Sequence, residues 1–133
     1  MPHVAFYRVV TDQHVLEFPS EGSTQKLEFE TTNDMVVNTS SARPMVSFQM
    51  QAQSANETPR VTLDLFILDL AGAKRRICRH SLSGATVRTT LEPFDPDWIR
   101  KGNNAVNTLI FEADVDTGEL LVRNVVVFFM RDI

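Results

Sequence analysis

The residues able to bind a metal ion are scattered along this 133-residue chain. Its three histidines, His3, His14 and His80, lie far apart and form neither a His-x-His nor a His-Glu-x-x-His pattern. A zinc site built on them would therefore need the fold to bring distant side chains together. We predict no metal site and interpret the three histidines as ordinary surface or half-buried residues.

Groups able to carry catalysis are equally sparse. Residues 81–84, Ser-Leu-Ser-Gly, lack the flanking glycine of a nucleophile elbow. Cys78 has basic neighbours that would lower the pKa of its thiol, but the sequence shows no identifiable histidine partner, so we interpret it as structural. Asp95 and Asp97 flank a proline, and turn and capping roles explain both. We therefore predict that the protein is not an enzyme and uses no cofactor.

Two charged segments have both a ligand-binding and a structural interpretation. Asp114, Asp116 and Glu119 surround a Thr-Gly turn and carry the oxygen ligands that calcium prefers, although turn formation explains such residues more often. The basic run at residues 74–80 is suited to a phosphate, an acidic sugar or an acidic partner. A solvated edge strand, whose cations oppose pairing with other sheets, explains the same run. We favour the structural interpretation for both segments.

The composition is that of a folded globular domain. Hydrophobic residues make up 43% of the chain and charged residues 23%, which is unlike a disordered sequence. The net charge of −4 gives no general attraction to phosphate backbones or anionic lipids, so we predict no nucleic-acid and no membrane partner. The sequence shows no signal-peptide pattern and no apolar run of ~18 residues. The lone Cys78 cannot close an intrachain disulfide, which favours a cytoplasmic setting.

Alternation with a period of two runs through almost the whole chain and predicts strands. Roughly eight to ten short strands separated by Gly, Pro and Asn turns indicate an all-β fold. We predict a two-sheet antiparallel sandwich, jelly-roll-like, as a single domain over residues 1–133, with at most one helical turn near Trp98. The clearest alternation sets an apolar row against a polar one: Val46, Phe48, Met50 and Ala52 against Ser47, Gln49, Gln51 and Gln53.

The C-terminal part of the chain carries the strongest local signal. Two β-forming runs, residues 105–114 and 119–130, are joined by a short segment that contains Gly118. Because glycine readily takes positive φ, this segment predicts a hairpin. We expect its two strands to pair at the centre of the sheet. The N-terminal runs, residues 4–9 and 14–18, predict a second hairpin or two edge strands.

The same third of the chain resembles the closing strands of galactose-binding-like jelly rolls. The residues that carry this resemblance are Trp98 and the Ile-Arg-Lys-Gly-Asn-Asn that follows, then Leu-Ile-Phe at 109–111 and the apolar strands at 118–122 and 125–129. The doubled Asn103-Asn104 departs from the family pattern and shifts the apolar phase after the turn. The resemblance implies a β-jelly-roll of the kind found in carbohydrate-binding modules, and it maps no ligand residue by residue.

A ligand site is predicted on the polar side of the clearest strand. Gln49, Gln51 and Gln53 place amides on one sheet face at ~6.5–7 Å spacing, and amides both donate to and accept from sugar hydroxyls. Tyr7 is the candidate aromatic platform. We therefore predict a non-catalytic, lectin-like carbohydrate-binding module with these four residues at its site. A solvated face without a ligand is the alternative.

A structural or assembly protein is the alternative function. Residues 123–131 are apolar in both phases, and so is the second half of residues 60–70. If these strands are neighbours, they expose an apolar strip too large for a monomer surface. We predict a homo-oligomer that covers this strip, with the N-terminal strand as the competing cover.

Overall fold

The structure is a computed structural model that describes residues 3–11, 15–19, 23–32, 35–36, 43–102 and 105–132, without the side chains of 3–11, 36, 131 and 132. The described residues form antiparallel strands and no α-helix, so none of their helices could cross a membrane. The strands are β1 His3–Thr11, β2 Leu16–Phe18, β3 Ser23–Thr31, β4 Met35–Val36, β5 Met45–Gln53, β6 Arg60–Leu68, β7 Lys74–Ser83, β8 Thr86–Pro93, β9 Ala105–Thr117 and β10 Glu119–Asp132.

These strands form two antiparallel sheets packed face to face. The first sheet has the order β1-β10-β5-β8, and the short strands β2 and β4 also pair with β10. The second sheet has the order β3-β9-β6-β7. The predicted all-β, jelly-roll-like sandwich is confirmed.

The core lies between the sheets and is built by the predicted alternation. On β5, Val46, Phe48 and Met50 are fully buried, while the residues between them are half-buried on the outer face. The ring of Phe48 packs edge to face against the ring of Phe111, which belongs to the opposite sheet, and the ring centroids are 5.4 Å apart. Since both rings are fully buried, this pair ties the two sheets together at the centre of the core.

The predicted helical turn is a 3-10 turn, Pro96–Trp98. Asp95 caps it by accepting a hydrogen bond from the main-chain N–H of Asp97 at 2.9 Å, so its carboxylate is used structurally. Trp98 is half-buried, and its side chain packs against the core at this end of the sandwich.

The predicted C-terminal hairpin is wrong. β9 pairs with β3 and β6 in the second sheet, whereas β10 pairs with β1 and β5 in the first. Both strands are interior and already have partners on both edges, so neither has an edge left for the other. Gly118 does have positive φ, +87°, but the turn carries the chain from one sheet to the other.

A β-bulge in β10 explains why this strand is apolar in both phases. The register against β5 shifts between Arg123 and Val126, and the intervening Asn124 has a φ of +56°, which asparagine tolerates better than most residues. The shift moves the buried positions from even to odd numbers. The buried residues before and after the bulge are Leu120, Val122, Val125, Val127 and Phe129.

The apolar strip predicted across β6 and β10 does not form, because the two strands belong to different sheets. On the outer face of β6, Phe66 is only 8% exposed. The ammonium group of Lys74 lies 4.4 Å from its ring centroid, and the guanidinium of Arg76 lies 5.8 Å away. Cationic side chains of β7 therefore cover this phenylalanine.

The N-terminal strands follow the second of the two predicted arrangements, two edge strands. β1 and β2 do not pair with each other as a hairpin, because both pair with the same edge of β10. β1 therefore extends the sheet beside β10 instead of covering its face.

Gly118→Ala should destabilise the protein more than Gly84→Ala. Both glycines have positive φ, +87° and +93°, which costs alanine about 1–2 kcal/mol. A Cβ at position 118 would also lie 2.5 Å from the main-chain oxygen of Gln53, whereas nothing lies within 4 Å of one at position 84. Overpacking adds about 1–3 kcal/mol at position 118 alone. Urea unfolding measures both losses, and equal losses would contradict the close packing of this crossing.

Candidate functional site

Four side chains form a continuous hydrogen-bonded line across the outer face of the first sheet. Arg123 donates from Nη2 to Gln51 Oε1 at 3.2 Å, and Gln51 donates from Nε2 to Gln53 Oε1 at 3.3 Å. Gln53 in turn donates from Nε2 to Glu119 Oε1. We call Arg123, Gln51, Gln53 and Glu119 the polar row. It runs from a cation at one end to a carboxylate at the other.

Strand register brings the polar row together. Gln51 and Gln53 share a face of β5 because they are two residues apart. Gln53 lies opposite Glu119 on β10, and Gln49 lies opposite Arg123, just before the bulge. The amide of Gln49 is half-buried and is hydrogen-bonded to no described residue. Its donors and acceptor therefore remain for a ligand or water.

A depression adjoins the carboxylate end of the polar row. Its volume is about 490 Å³, which is within the usual range for small-ligand sites. The residues that line it are Pro19, Gln53, Ser54, Ala55, Gly118 and Glu119. Two members of the polar row thus also form part of the wall of a concave surface.

The edge of the same sheet is apolar and exposed. Val87 is 57% exposed and Leu91 is 54% exposed, and they lie opposite Gln51 and Ser47 in the pairing of β8 with β5. The outer face therefore combines hydrogen-bonding amides with apolar side chains beside them. At the cationic end, Arg123 Nε is buried and has no hydrogen-bond partner within the described chain.

Tyr7, the fourth predicted site residue, is placed only through its main chain. It pairs with Phe128, in the opposite half of β10 from Leu121, the partner of Gln51. The side chain of Tyr7 lies outside the described part of the structure, so its role as an aromatic platform stays a prediction.

A second group of side chains, three potential metal ligands that the sequence analysis did not combine, lies between the sheets. Cys78 and His80 of β7 approach Glu92 of β8, and one ligand atom from each lies within 4.8 Å of the others. His80 Nε2 is 2.8 Å from Glu92 Oε1. We call these three residues the edge cluster. The Cys-x-His spacing was its only sequence signal, because alternate strand residues share a face.

Ile77 and Cys78 are adjacent on β7 and therefore lie in opposite phases, so the sequence does not show which side of this strand faces inward. A bulge explains why. The register against β6 shifts so that Leu65 lies opposite Cys78 and Phe66 opposite Arg76, which leaves Ile77 as the extra residue. Ile77 and Cys78 both pack against the core. Because of this shift, period-two alternation alone could not assign the inward face.

The basic neighbours of Cys78 do not lower the pKa of its thiol. Burial, together with the negative charges of Glu92 and Asp64, raises this pKa to about 12. The nearest cations are engaged elsewhere, since Arg79 Nε lies 2.7 Å and Arg76 Nε 3.6 Å from Asp64. The thiol is therefore neutral at neutral pH.

The rest of the basic run is also paired. Lys74 Nζ lies 2.5 Å from Glu112, and Arg75 Nε lies 2.9 Å from Asp69. The hydrogen bond from Arg75 and those from main-chain N–H groups hold the pKa of Asp69 below its ordinary value. β7 is the edge strand of its sheet, as the structural interpretation of this run predicts.

The acidic residues around Gly118 do not gather as calcium ligands would. Asp114 and Asp116 are exposed and lie on β9, while Glu119 begins β10 in the other sheet. Within the described residues, the edge cluster is the one group of three or more potential metal ligands that converges.

Alkylation of Cys78 should be slow in the folded protein. Because its pKa is raised from 9.0 to about 12, the reactive thiolate at about pH 8 is about a thousandfold scarcer than in the unfolded chain. Mass spectrometry after timed iodoacetamide treatment, with and without urea, measures this ratio. Similar rates in both conditions would contradict the neutral, buried thiol.

No protein-family model matches the chain, and no curated protein matches it. Among solved structures it is similar to dimeric latent PorU from Porphyromonas gingivalis, with 15% identity over 99% of this chain and 13% of that chain and a TM-score of 0.53. It is also similar to a protein of the infectious bursal disease virus particle, with 8% identity, coverages of 95% and 30%, and a TM-score of 0.52. A third similar structure is TmCBM61 in complex with β-1,4-galactotriose, with 11% identity, coverages of 95% and 88%, and a TM-score of 0.46.

The chain thus covers 13% of the PorU chain and 30% to 38% of the viral chains. At these identities, the similarity to PorU and the viral protein shows a shared sandwich fold alone.

Proposed function

We propose that this chain is a non-catalytic carbohydrate-binding module whose ligand lies along the polar row and reaches the depression at its Glu119 end. The observation that carries the proposal is the unbroken hydrogen-bonded line from Arg123 through Gln51 and Gln53 to Glu119. This line holds the side chains in place before a ligand arrives. Less conformational entropy is then lost on binding.

The chemistry of this face suits sugars. Each glutamine amide has two donors and an acceptor with two lone pairs, so the bonds within the polar row leave further positions for hydroxyl groups. Gln49 adds an amide that is bonded to no other described residue. Val87 and Leu91, both more than half exposed, can pack against the C–H faces of a sugar ring.

The composition of the polar row supports binding without hydrolysis. Enzymes that cleave glycosidic bonds ordinarily use a pair of carboxylates, one on each side of the bond. The polar row contains a single carboxylate, Glu119, and it is already hydrogen-bonded to Gln53.

The double variant Gln49→Ala with Gln51→Ala should weaken glycan binding by about tenfold or more, because it removes two amides, each hydrogen bond being worth about 1 kcal/mol. Its melting temperature should not fall, since both side chains lie on the outer face. A glycan array selects the ligand, and calorimetry compares the two proteins. The matched control is Thr62→Ala with Thr108→Ala, half-buried polar positions on the second sheet. Unchanged affinity, or chemical-shift changes confined to residues 114–117, would contradict the proposed site.

Self-assembly is the second candidate function, and the exposed edge of β8 favours it. β8 is the outermost strand of the first sheet and exposes Val87 and Leu91. An open edge with apolar side chains can pair with the same edge of a second copy.

If the chain assembles through β8, light scattering at micromolar concentration should give a multiple of the 15.0 kDa mass without any glycan. Val87→Lys with Leu91→Lys should then return it to a monomer, because buried charges at such an interface are costly. The control is Leu70→Lys, because Leu70 is 65% exposed and lies outside β8. A monomeric mass for the unmodified chain would exclude this candidate at that concentration and leave the glycan proposal intact.

A further inference from the structure

The edge cluster has no part in the proposed glycan site. Glu92 lies opposite the buried Val46 in the pairing of β8 with β5, so its side chain is on the inner side of the first sheet. The polar row is on the outer side of that sheet. The edge cluster therefore lies between the sheets, where the edge strands β7 and β8 approach each other.

We propose that Cys78, His80 and Glu92 bind a divalent transition-metal ion with the ligand preference of Zn²⁺, with water as the fourth ligand. One sulfur, one nitrogen and one oxygen converge from two strands, and these ligand atoms lie within 4.8 Å of one another. Three protein ligands and one position for water are the arrangement of zinc sites that are open to solvent, as catalytic sites are, whereas closed structural sites have four protein ligands.

The ligand types select the class of ion. Cys78 would bind the ion as a thiolate, with its thiol proton released to water on binding. Thiolate and imidazole favour zinc and the later transition metals, whereas magnesium and calcium require an all-oxygen environment. With metal–ligand bonds of about 2.0–2.3 Å, tetrahedral ligand atoms lie roughly 3.3–3.7 Å apart. His80 Nε2 and Glu92 Oε1, now 2.8 Å apart, would separate slightly, and the sulfur starts within 4.8 Å of both. Shifts of about 1 Å are within the reach of side-chain rotation.

Neighbouring groups hold two of the ligands in orientation. Thr90 donates from Oγ1 to Glu92 Oε1 at 2.5 Å, which fixes the carboxylate in the way that outer-shell hydrogen bonds fix metal ligands. The imidazole of His80 packs against the ring of Phe48, with centroids 6.3 Å apart and planes at 81°. Phe48 is fully buried, so one side of the imidazole is held by the core.

The position also allows an ion to enter. The side chains of His80 and Glu92 are 17% and 23% exposed, so one side of the edge cluster faces solvent. The cations nearest to Cys78 on its own strand, Arg76 and Arg79, pair with Asp64 and so do not compete for Glu92.

Titration of the chelator-treated protein with Co²⁺ tests the site. The expected result is one equivalent bound, with a near-ultraviolet thiolate-to-cobalt absorption band and visible bands of tetrahedral intensity. Excess Zn²⁺ should abolish the near-ultraviolet and the visible cobalt bands by displacing Co²⁺. It should also raise the melting temperature, because an ion that binds only the folded state stabilises that state. Mg²⁺ and Ca²⁺ should do neither.

Single variants assign the ligands. Cys78→Ser should remove the charge-transfer band, and His80→Gln and Glu92→Gln should each weaken Co²⁺ binding by about 100-fold or more. Thr90→Val should weaken it by about 10–100-fold, as loss of an outer-shell partner does. His3→Gln is the matched control and should bind Co²⁺ as the unmodified chain does. Circular dichroism checks that each variant is folded, and Glu92→Gln keeps the test valid if Cys78→Ser fails to fold.

Absence of a charge-transfer band in the unmodified protein would overturn the proposal. So would equal Co²⁺ affinity of the unmodified chain and folded Glu92→Gln. These outcomes do not depend on glycan binding, which is measured on the opposite side of the first sheet.

Discussion

The first sheet depends on the pairing of β10 along both of its edges. β1 and β2 occupy one edge, while β5 and β4 occupy the other. This strand of 14 residues also faces the core, and its inner side is apolar from Leu120 to Phe129. The bulge at Asn124 makes this possible, because it moves the buried positions from Val122 to Val125 where the register changes. Arg123 is the last residue of the register before this bulge, so the cationic end of the polar row lies where the pairing with β5 changes.

What the sequence could predict was decided by how local each signal was. Alternation within β5 is complete in one short segment, so the buried Phe48 and the outward Gln49 followed directly from period two. Whether β9 and β10 pair with each other could not be predicted in this way. Gly118 correctly indicated a tight turn, but whether two successive strands pair depends on which edges distant strands have already taken. Strand β3 and strand β6 occupy both edges of β9, and no residue near Gly118 carries that information.

The same reasoning separates the two candidate sites. Gln51 and Gln53 lie on one strand and were predicted together, whereas their continuation to Arg123 and Glu119 required the register of β10. The edge cluster could not be predicted from the sequence for a further reason. His80 and Glu92 belong to different sheets, so their contact arises from sheet packing, and the bulge at Ile77 concealed which side of β7 faces inward.

The sandwich places different demands on its two sides. Inward side chains must be apolar and must fill the space around Phe48 and Phe111. Sequences with little identity can meet this requirement, as the structural similarity to PorU and to the viral particle protein illustrates. Outward positions carry no such requirement, so function in this architecture is determined by side chains that the core does not need. The polar row fits that description, because its four members are not part of the apolar core.

The edge cluster is the exception. His80 contacts Phe48 at the margin of the core, where polar groups must be paired with one another or with a ligand. The hydrogen bond between His80 and Glu92 meets that demand without a ligand. Cys78 adds no strong hydrogen bond to this pair, but it supplies a sulfur ligand beside it. That sulfur distinguishes the proposed metal site from an ordinary buried His–Glu contact.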